Sequence, residues 1–145
     1  MIFYLDSSVL VKKYFEEVGT DSIQKVWKDN KHLAISQVGY SEILGTINKK
    51  QKIDRFSEKI KLGILKQFQN DWRQLIKINV DGSMNSELDR VHSKYLLRGF
   101  DAIHLVSGIF LFRELREEFS FLSADENLSS AAEKDGLDIG KFIWK

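Results

Sequence analysis

Hydrophobic and polar positions along this chain follow two periods in turn, one typical of β-strands and one typical of α-helices. Short apolar runs predict strands at 1–5, 33–35, 75–80, 119–122 and 137–144. Apolar residues spaced three or four apart predict helices over 9–18, 21–28, 36–47, 56–72, 83–95, from Asp101 onward and over 125–134. Strands that alternate with helices favour a central, mostly parallel sheet covered by helices on both faces.

Length and composition favour one α/β domain over 1–145. A chain of 145 residues can bury roughly two-thirds of its unfolded surface in a single core without metal or disulfide staples. The sequence contains no cysteine, which excludes disulfides, thiolate metal sites and a cysteine nucleophile.

The longest apolar segment, 102–112, is interrupted by His104, Ser107 and Gly108. It is shorter than the roughly 20 apolar residues that a membrane-spanning helix needs, and no signal-peptide pattern precedes the first strand. We therefore expect a protein without a membrane span, located in the cytoplasm.

The formal net charge of +1 does not indicate a nucleic-acid-binding protein, although the charge is unevenly distributed. Basic residues dominate 49–66, and acidic residues dominate 114–138. Solvated helix faces explain both segments best, because only clustered basic surface makes an electrostatic footprint for nucleic acid.

Four carboxylates lie where predicted elements begin or turn toward the strand ends: Asp6, Glu42, Asp101 and Asp125. An aspartate at such a junction is more often a helix cap than a catalytic group. Ser7 or Ser8 could cap the helix after Asp6, and Ser123 with Glu126 fits a capping box beside Asp125. If these serines cap, both aspartates are available for another role.

The other two acids also need an explanation beyond capping. Glu42 lies on the side of its helix that carries Val38 and Ile43, and a lone buried carboxylate is costly without a partner. Asp101 begins the apolar helix at the same end of the predicted sheet as Asp6. The functional crevice of an open parallel sheet lies at the carboxyl ends of its strands, so these acids are expected to converge there.

Converging carboxylates repel one another unless a cation lies between them. All-oxygen ligand sets suit Mg²⁺, Mn²⁺ or Ca²⁺, and the absence of a helix–loop–helix calcium motif favours Mg²⁺ or Mn²⁺. Asp6 and Asp101 are the first choice for direct ligands. Glu42 and Asp125 would bind the metal through water or orient the nucleophile of a metal-assisted reaction.

Other chemistries have less support in the sequence. His32, His92 and His104 lack the spacing of a zinc site, and neither a phosphate-binding glycine loop nor a GxSxG elbow is present. His104 follows Asp101 by three residues and could form an acid–base pair with it. A packed histidine that hydrogen-bonds nearby is the favoured interpretation, because its neighbours are apolar.

Four segments carry these acids in order: YLDSSVLVK at 4–12, SEI at 41–43, LRGFDAIHL at 97–105 and LSADENL at 122–128. Together they resemble the PIN-domain family, most closely the VapC-like toxin ribonucleases, over essentially the whole chain. Threonine is frequent in that family where this chain has Ser7 and Ser123, a change that keeps the hydroxyl group.

The resemblance implies a three-layer α/β/α sandwich whose acidic pocket binds Mg²⁺ or Mn²⁺ and hydrolyses RNA phosphodiester bonds. It places the acidic positions on Asp6, Glu42, Asp101 and Asp125, and a pocket-organising hydroxyl on Ser8. It also implies a homodimer, inhibited by a small antitoxin protein. Lys12, Lys13, Arg98 and the basic segment 49–66 are candidate contacts for the RNA backbone.

Three alternatives to a toxin ribonuclease remain. The chain could be a PIN-type RNA-processing nuclease without an antitoxin, or a catalytically idle PIN-fold module whose acidic pocket binds a basic peptide. The complete set of acids argues against the idle module. A metal-dependent 5′-nuclease acting on structured DNA shares the acids but usually carries additional substrate-clamping helices, for which 145 residues leave little room.

Overall fold

A computed structural model describes residues 1–30, 32–115 and 117–145. Short 3₁₀ turns at Val11–Lys13 and Gly82–Met84 supplement the regular elements. In chain order those elements are β1 (Ile2–Leu5), α1 (Ser7–Leu10), α2 (Thr20–Asp29), β2 (Leu33–Ser36), α3 (Val38–Asp54), α4 (Glu58–Gln74), β3 (Ile76–Ile78), α5 (Asn85–Lys94), α6 (Gly99–Glu114), β4 (Phe119–Leu122) and α7 (Glu126–Lys134).

The described strands form one parallel sheet in the order β3-β2-β1-β4. Phe3 lies opposite Leu33 on one side of β1, and Tyr4 lies opposite Phe121 on the other. The chain therefore adds β2 and then β3 on one side of β1, and afterwards adds β4 on the other side of β1. This reversal creates a topological switch point between β1 and β4.

Helices cover both faces of the sheet, which confirms the predicted three-layer α/β/α sandwich. Side chains of a strand point alternately to its two faces, so Phe3 and Leu5 join the core beneath α1, α2, α3 and α4. Ile2 and Tyr4 join the opposite core, beneath α5, α6 and α7. Every residue of β1 is buried, as expected for a strand covered on both faces.

Helix α6 is the deeply packed helix that its apolar sequence predicts. Its buried residues include Ala102, Leu105, Val106 and Ile109. At Gly108 a Cβ atom would lie 2.7 Å from the ring of Phe121, so glycine allows the helix to approach β4 closely.

The predicted helix over 9–18 is wrong. Helix α1 ends at Leu10 and is followed only by a 3₁₀ turn, while Gly19, at φ 99°, begins α2 instead of ending a helix. The hydroxyl of Thr20 lies 2.9 Å from the carbonyl oxygen of Lys12 and 2.8 Å from that of Phe15. These contacts stabilise a loop in place of further helical turns.

The predicted strand over 137–144 is also wrong, because the described residues there form no strand. The backbone N–H of Phe121 donates to the carbonyl oxygen of Asp138 at 2.7 Å, but no ladder continues from it. Gly136 and Gly140 have positive φ angles of 97° and 67°, which turn the chain away from an extended path.

The other predicted elements exist with shifted ends. Strand β3 is shorter than the predicted 75–80, and Ser36 ends β2 while Gln37 precedes α3. Helix α3 continues beyond position 47 through the basic residues to Asp54, where Arg55 in the left-handed region ends it. Strand β4 has the predicted bounds.

No single helix in the described ranges is long and apolar enough to cross a membrane. The segments Gly82–Lys94 and Gly99–Glu114 reach the length and apolar content of a membrane span only when taken together, and the chain bends by 118° between them.

Candidate functional site

The four predicted acids all lie at the carboxyl edge of the sheet, beside the switch point between β1 and β4. Asp6 directly follows β1, and Asp125 follows β4 after a short turn. Helix α3 leaves this edge after β2 and carries Glu42 near its start, and α6 begins near the same edge with Asp101 in its first turn. Ligand sites of open parallel sheets lie in such a crevice.

Asp6 is the most enclosed of these acids, with 4% of its surface exposed. Its Oδ1 accepts hydrogen bonds from the Ser8 hydroxyl at 2.6 Å and from the Val9 backbone N–H at 3.1 Å. Its Oδ2 accepts one from the Ser123 hydroxyl at 2.5 Å. The prediction that Ser7 or Ser8 caps α1 is therefore wrong, because Asp6 caps the helix itself.

Burial raises the pKa of Asp6 above its ordinary value. The electrostatic effect of His104 and the hydrogen bonds from Ser123, Ser8 and the Val9 N–H lower the pKa and only partly offset burial. A carboxylate under this desolvation gains from any nearby positive charge.

Two serines connect the ends of β1 and β4 at Asp6. The Ser8 hydroxyl, which donates to Asp6, also accepts the backbone N–H of Ala124 at 2.9 Å. The Ser123 hydroxyl likewise accepts the backbone N–H of Asp125 at 3.0 Å while it donates to Asp6. The Ser8 hydroxyl thus joins Asp6 to the backbone that follows β4.

Glu42 is the partly exposed end of a chain of hydrogen bonds that continues through the buried His104 to Tyr4. Its Oε1 accepts hydrogen bonds from the Ser7 hydroxyl at 2.8 Å and from His104 Nε2 at 2.6 Å. His104 Nδ1 lies 2.7 Å from the Tyr4 hydroxyl, which accepts the backbone N–H of Ser36 at 3.1 Å. His104 is 1% exposed, so the prediction of a packed, hydrogen-bonded histidine is confirmed, with Glu42 rather than Asp101 as its acidic partner.

The pKa of Glu42 lies below its ordinary value despite partial burial. Burial raises this pKa, but the hydrogen bond and electrostatic effect of His104, the Ser7 hydroxyl and the charge of Arg98 together lower it further. Glu42 is therefore ionised at neutral pH. The effect of Arg98 also shows that Glu42 lies within electrostatic reach of the guanidinium that contacts Asp101 and Asp125.

Arg98 joins the remaining two acids. Its Nε donates to Asp101 Oδ2 at 2.8 Å, and one of its terminal nitrogens donates to Asp125 Oδ2 at 3.2 Å. The hydrogen bond and charge of Asp101 raise the pKa of Arg98, against a smaller desolvation effect, and the charges of Asp125 and Glu42 add to the rise. One guanidinium therefore hydrogen-bonds to two of the four acids and is stabilised by the charge of a third.

The predicted capping box of Ser123 and Glu126 is wrong. Asp125 caps α7 itself, since its Oδ1 accepts the backbone N–H of Leu128 at 2.9 Å. The Ser123 hydroxyl faces Asp6 instead. Asp6 and Asp125 thus combine the capping role with a place in the acidic cluster.

We call Asp6 and Glu42 the inner acids and Asp101 and Asp125 the outer acids. The inner acids are held mainly by buried groups, and the outer acids share an arginine whose side chain is 78% exposed. Among the described residues, Glu42 Oε2 and Asp101 Oδ1 accept no hydrogen bond. Each of these two carboxylates therefore has one oxygen available to another ligand.

The donor atoms of the four acids suit a hard divalent cation. In the part of the chain that the structure describes, no three His, Asp or Glu side chains lie close enough together to form a metal-binding group. Mg²⁺ commonly binds through only one or two carboxylates and keeps several waters. The outer acids, which lie close enough to share one guanidinium, provide such a pair.

The predicted basic contacts are divided between two regions. Arg98 lies at the acids, whereas Lys12 pairs with Glu17 at 3.1 Å and Lys13 pairs with Asp71 at 2.7 Å. The Tyr14 hydroxyl also donates to Asp71 at 2.8 Å. The structure therefore ties both lysines to structural ion pairs.

Ser7, Ser123 and His104 contact the acids directly, and Tyr4 does so through His104, in ways that sequence patterns did not assign. A usable signal existed for Tyr4, which precedes Asp6 by two residues. Along an extended chain, side chains two residues apart point to the same side. The pairs that matter most join distant positions, such as His104 with Glu42, and no local pattern reports them.

No protein-family model and no curated protein matches the chain.

Proposed function

We propose that this chain is a metal-dependent endoribonuclease of the PIN type that uses Mg²⁺ or Mn²⁺. The observation that carries the proposal is the placement of Asp6, Glu42, Asp101 and Asp125 along the carboxyl edge of a parallel sheet, with Asp101 and Asp125 close enough to share one guanidinium. Carboxylates at such a position suit a cation and an anionic substrate held together. The order and spacing of the motifs that bear these acids add support.

The residues of the site have distinct roles in this proposal. The outer acids would hold the metal ion, in place of the predicted pair of direct ligands, Asp6 and Asp101, because both oxygens of Asp6 already accept hydrogen bonds. Asp6 and Glu42 would add negative charge nearby. A bound metal would supply an activated water for in-line attack on phosphorus and would neutralise charge on the leaving oxygen. Ser8, Ser123 and His104 fix the inner acids so that the carboxylates need not reorganise during the reaction.

The proposed substrate is RNA, and the proposed partners are a second copy of this chain and a small antitoxin protein. Arg98 is the basic residue best placed to contact a phosphate of the RNA. The lysines and arginine of the segment 49–66 supply weaker backbone contacts that would set affinity without reading sequence. A PIN-type RNA-processing nuclease without an antitoxin would use the same site.

Asp6→Asn and Asp101→Asn test the proposal, because each keeps side-chain size while removing charge. We expect each variant to cleave a fluorescently labelled RNA in Mg²⁺ at least about 100-fold more slowly than the parent, since metal-ion catalysis contributes several kcal/mol. Asp89→Asn, which removes an exposed acid from α5, is the matched control and should retain full activity.

Circular dichroism of each variant establishes that it is folded. A folded Asp6→Asn, Asp101→Asn double variant that cleaves RNA at the parental rate, together with activity that EDTA does not reduce, would reject the proposed site.

A second candidate function has one observation in its favour. The outer acids accept hydrogen bonds from two nitrogens of one guanidinium, and this geometry would also suit an arginine of a basic peptide. A catalytically idle module would bind an arginine-rich peptide, take up no Mn²⁺ and leave RNA intact. The RNA cleavage assay and a peptide titration distinguish the two functions.

A further inference from the structure

Arg98 and a divalent cation would compete for the negative charge of the outer acids. Asp101 Oδ2 and Asp125 Oδ2 both accept hydrogen bonds from Arg98. A metal ion bound by the outer acids would lie beside the guanidinium, and two positive charges a few ångströms apart repel each other. Each cation therefore weakens the binding of the other to these acids.

The arginine is the cation that can move. Its side chain is 78% exposed, whereas that of Asp101 is only 13% exposed. Asp125 is fixed further by its hydrogen bond to the Leu128 N–H. Exposed ion pairs contribute little to stability, so withdrawal of the guanidinium into solvent costs little.

We infer that Arg98 is a resident cation of the outer acids that the divalent metal displaces. The inference rests on the proposed function, since it assigns a property to the same metal site. Arg98 offsets the mutual repulsion of the acids while no metal is bound and must withdraw for metal to bind. It therefore stabilises the metal-free protein and weakens metal binding, two effects of opposite sign.

Arg98→Met removes the charge and the hydrogen bonds while keeping much of the side-chain volume. Isothermal titration with MnCl₂ should give a dissociation constant about fivefold lower for Arg98→Met than for the parent, which corresponds to the loss of two exposed ion pairs. The metal-free variant, measured in EDTA, should melt at a lower temperature than the parent and gain more from saturating Mn²⁺.

Arg113→Met is the matched control. Arg113 lies in the last turn of α6, the helix that Arg98 precedes; it has an exposed side chain and donates to Glu87 at 3.0 Å, away from the four acids. Its removal takes away the same charge, so the Mn²⁺ affinity of this variant should equal that of the parent. An equal decrease of the Mn²⁺ dissociation constant in both variants would show that the effect comes from net charge alone, and it would overturn the inference.

The two proposals fail in different ways. Saturable Mn²⁺ binding that Arg98→Met leaves unchanged or weakens would overturn the displacement inference and leave the metal-dependent nuclease standing. Absence of Mn²⁺ binding in both the parent and Arg98→Met would overturn both proposals.

Discussion

The inner and outer acids face the same crevice, but the chain holds them by different means. Asp6 and Glu42 accept hydrogen bonds from groups that include the buried Ser123 and His104. The outer acids accept theirs from an arginine at the surface and, at Asp125, from a helix N-terminus. The inner acids therefore depend on partners that are part of the core, and the outer acids depend on a side chain that solvent can reach.

This difference separates two tasks that a metal-dependent site must perform. Buried donors keep the inner acids in place whether or not a ligand is present, which is the preorganisation that catalysis requires. A surface arginine can leave without disturbing the core, so the outer acids can exchange one cation for another. The comparison predicts that changes to the inner half affect stability and that changes to the outer half affect metal binding.

The largest expected contrast in stability lies between His104→Ala and Arg98→Met. His104→Ala deletes a buried ring and removes one hydrogen-bond partner each from Tyr4 and Glu42, which should reduce the free energy of unfolding by about 3 kcal/mol. Arg98→Met breaks exposed ion pairs and should cost less than about 1 kcal/mol. Urea unfolding in EDTA, followed by tryptophan fluorescence, measures both.

His92→Ala on α5 serves as the control, because His92 is exposed, and it should leave stability near that of the parent. Equal losses in His104→Ala and Arg98→Met would remove the distinction between the inner and outer acids.

A smaller effect is expected from Ser123→Ala. The Ser123 hydroxyl donates to Asp6 and accepts the Asp125 N–H, so its loss leaves a buried carboxylate with one donor fewer. We expect the free energy of unfolding at pH 7 to fall by about 1 to 2 kcal/mol.

Ser93→Ala is the matched control for this substitution. The Ser93 hydroxyl bonds an exposed helical carbonyl at 2.8 Å, and its removal should change stability by no more than about 0.5 kcal/mol. A Ser123→Ala variant as stable as Ser93→Ala would show that the hydroxyl does not support Asp6.

The smallest expected effects are pH slopes that differ in sign between the two inner acids. Burial raises the pKa of Asp6, so the folded state holds this proton more tightly than the unfolded state does. Stability from Asp6 is therefore lost as pH rises above the ordinary aspartate value of about 3.9 toward the folded pKa. Relative to Asp6→Asn, the parent should lose stability as the pH rises through this window.

Glu42 should give the opposite slope. Burial raises its pKa, but hydrogen bonds and neighbouring charges lower it below the ordinary value, so its contribution is lost as pH falls through the folded pKa. Relative to Glu42→Gln, the parent should lose stability on acidification below about pH 4.3. Urea unfolding in EDTA across pH 3 to 7, on the order of one point per half unit, measures both slopes, and slopes of the same sign would contradict the assigned environments.

Local patterns predicted the layers of the fold well and two of its segments badly. Strand β4 is a short apolar run bounded by polar residues, and its predicted bounds agree with the structure. The segment 9–18 carries helical spacing, but Thr20 engages the carbonyl oxygens that a longer helix would use. The positive φ angles of Gly136, just before 137–144, and of Gly140, within it, override an apolar pattern typical of a strand.

The acids of the site could be predicted, but their partners could not. Serine and aspartate are about equally good helix caps, so sequence alone could not decide between Asp6 and Ser8. The choice is made across the sheet, where Ala124 donates to Ser8 and Ser123 donates to Asp6. Contacts between residues so far apart in the chain depend on the strand order, which local patterns do not report.

The most direct test of the central claim is the rate of RNA cleavage in Mg²⁺ by the parent and by the Asp6→Asn, Asp101→Asn double variant, which removes one inner and one outer acid. The proposed metal-dependent site predicts cleavage by the parent that EDTA abolishes, and a rate for the folded double variant at least about 100-fold lower. Equal rates for the two proteins, or no cleavage by the parent in Mg²⁺ or Mn²⁺, would contradict the claim.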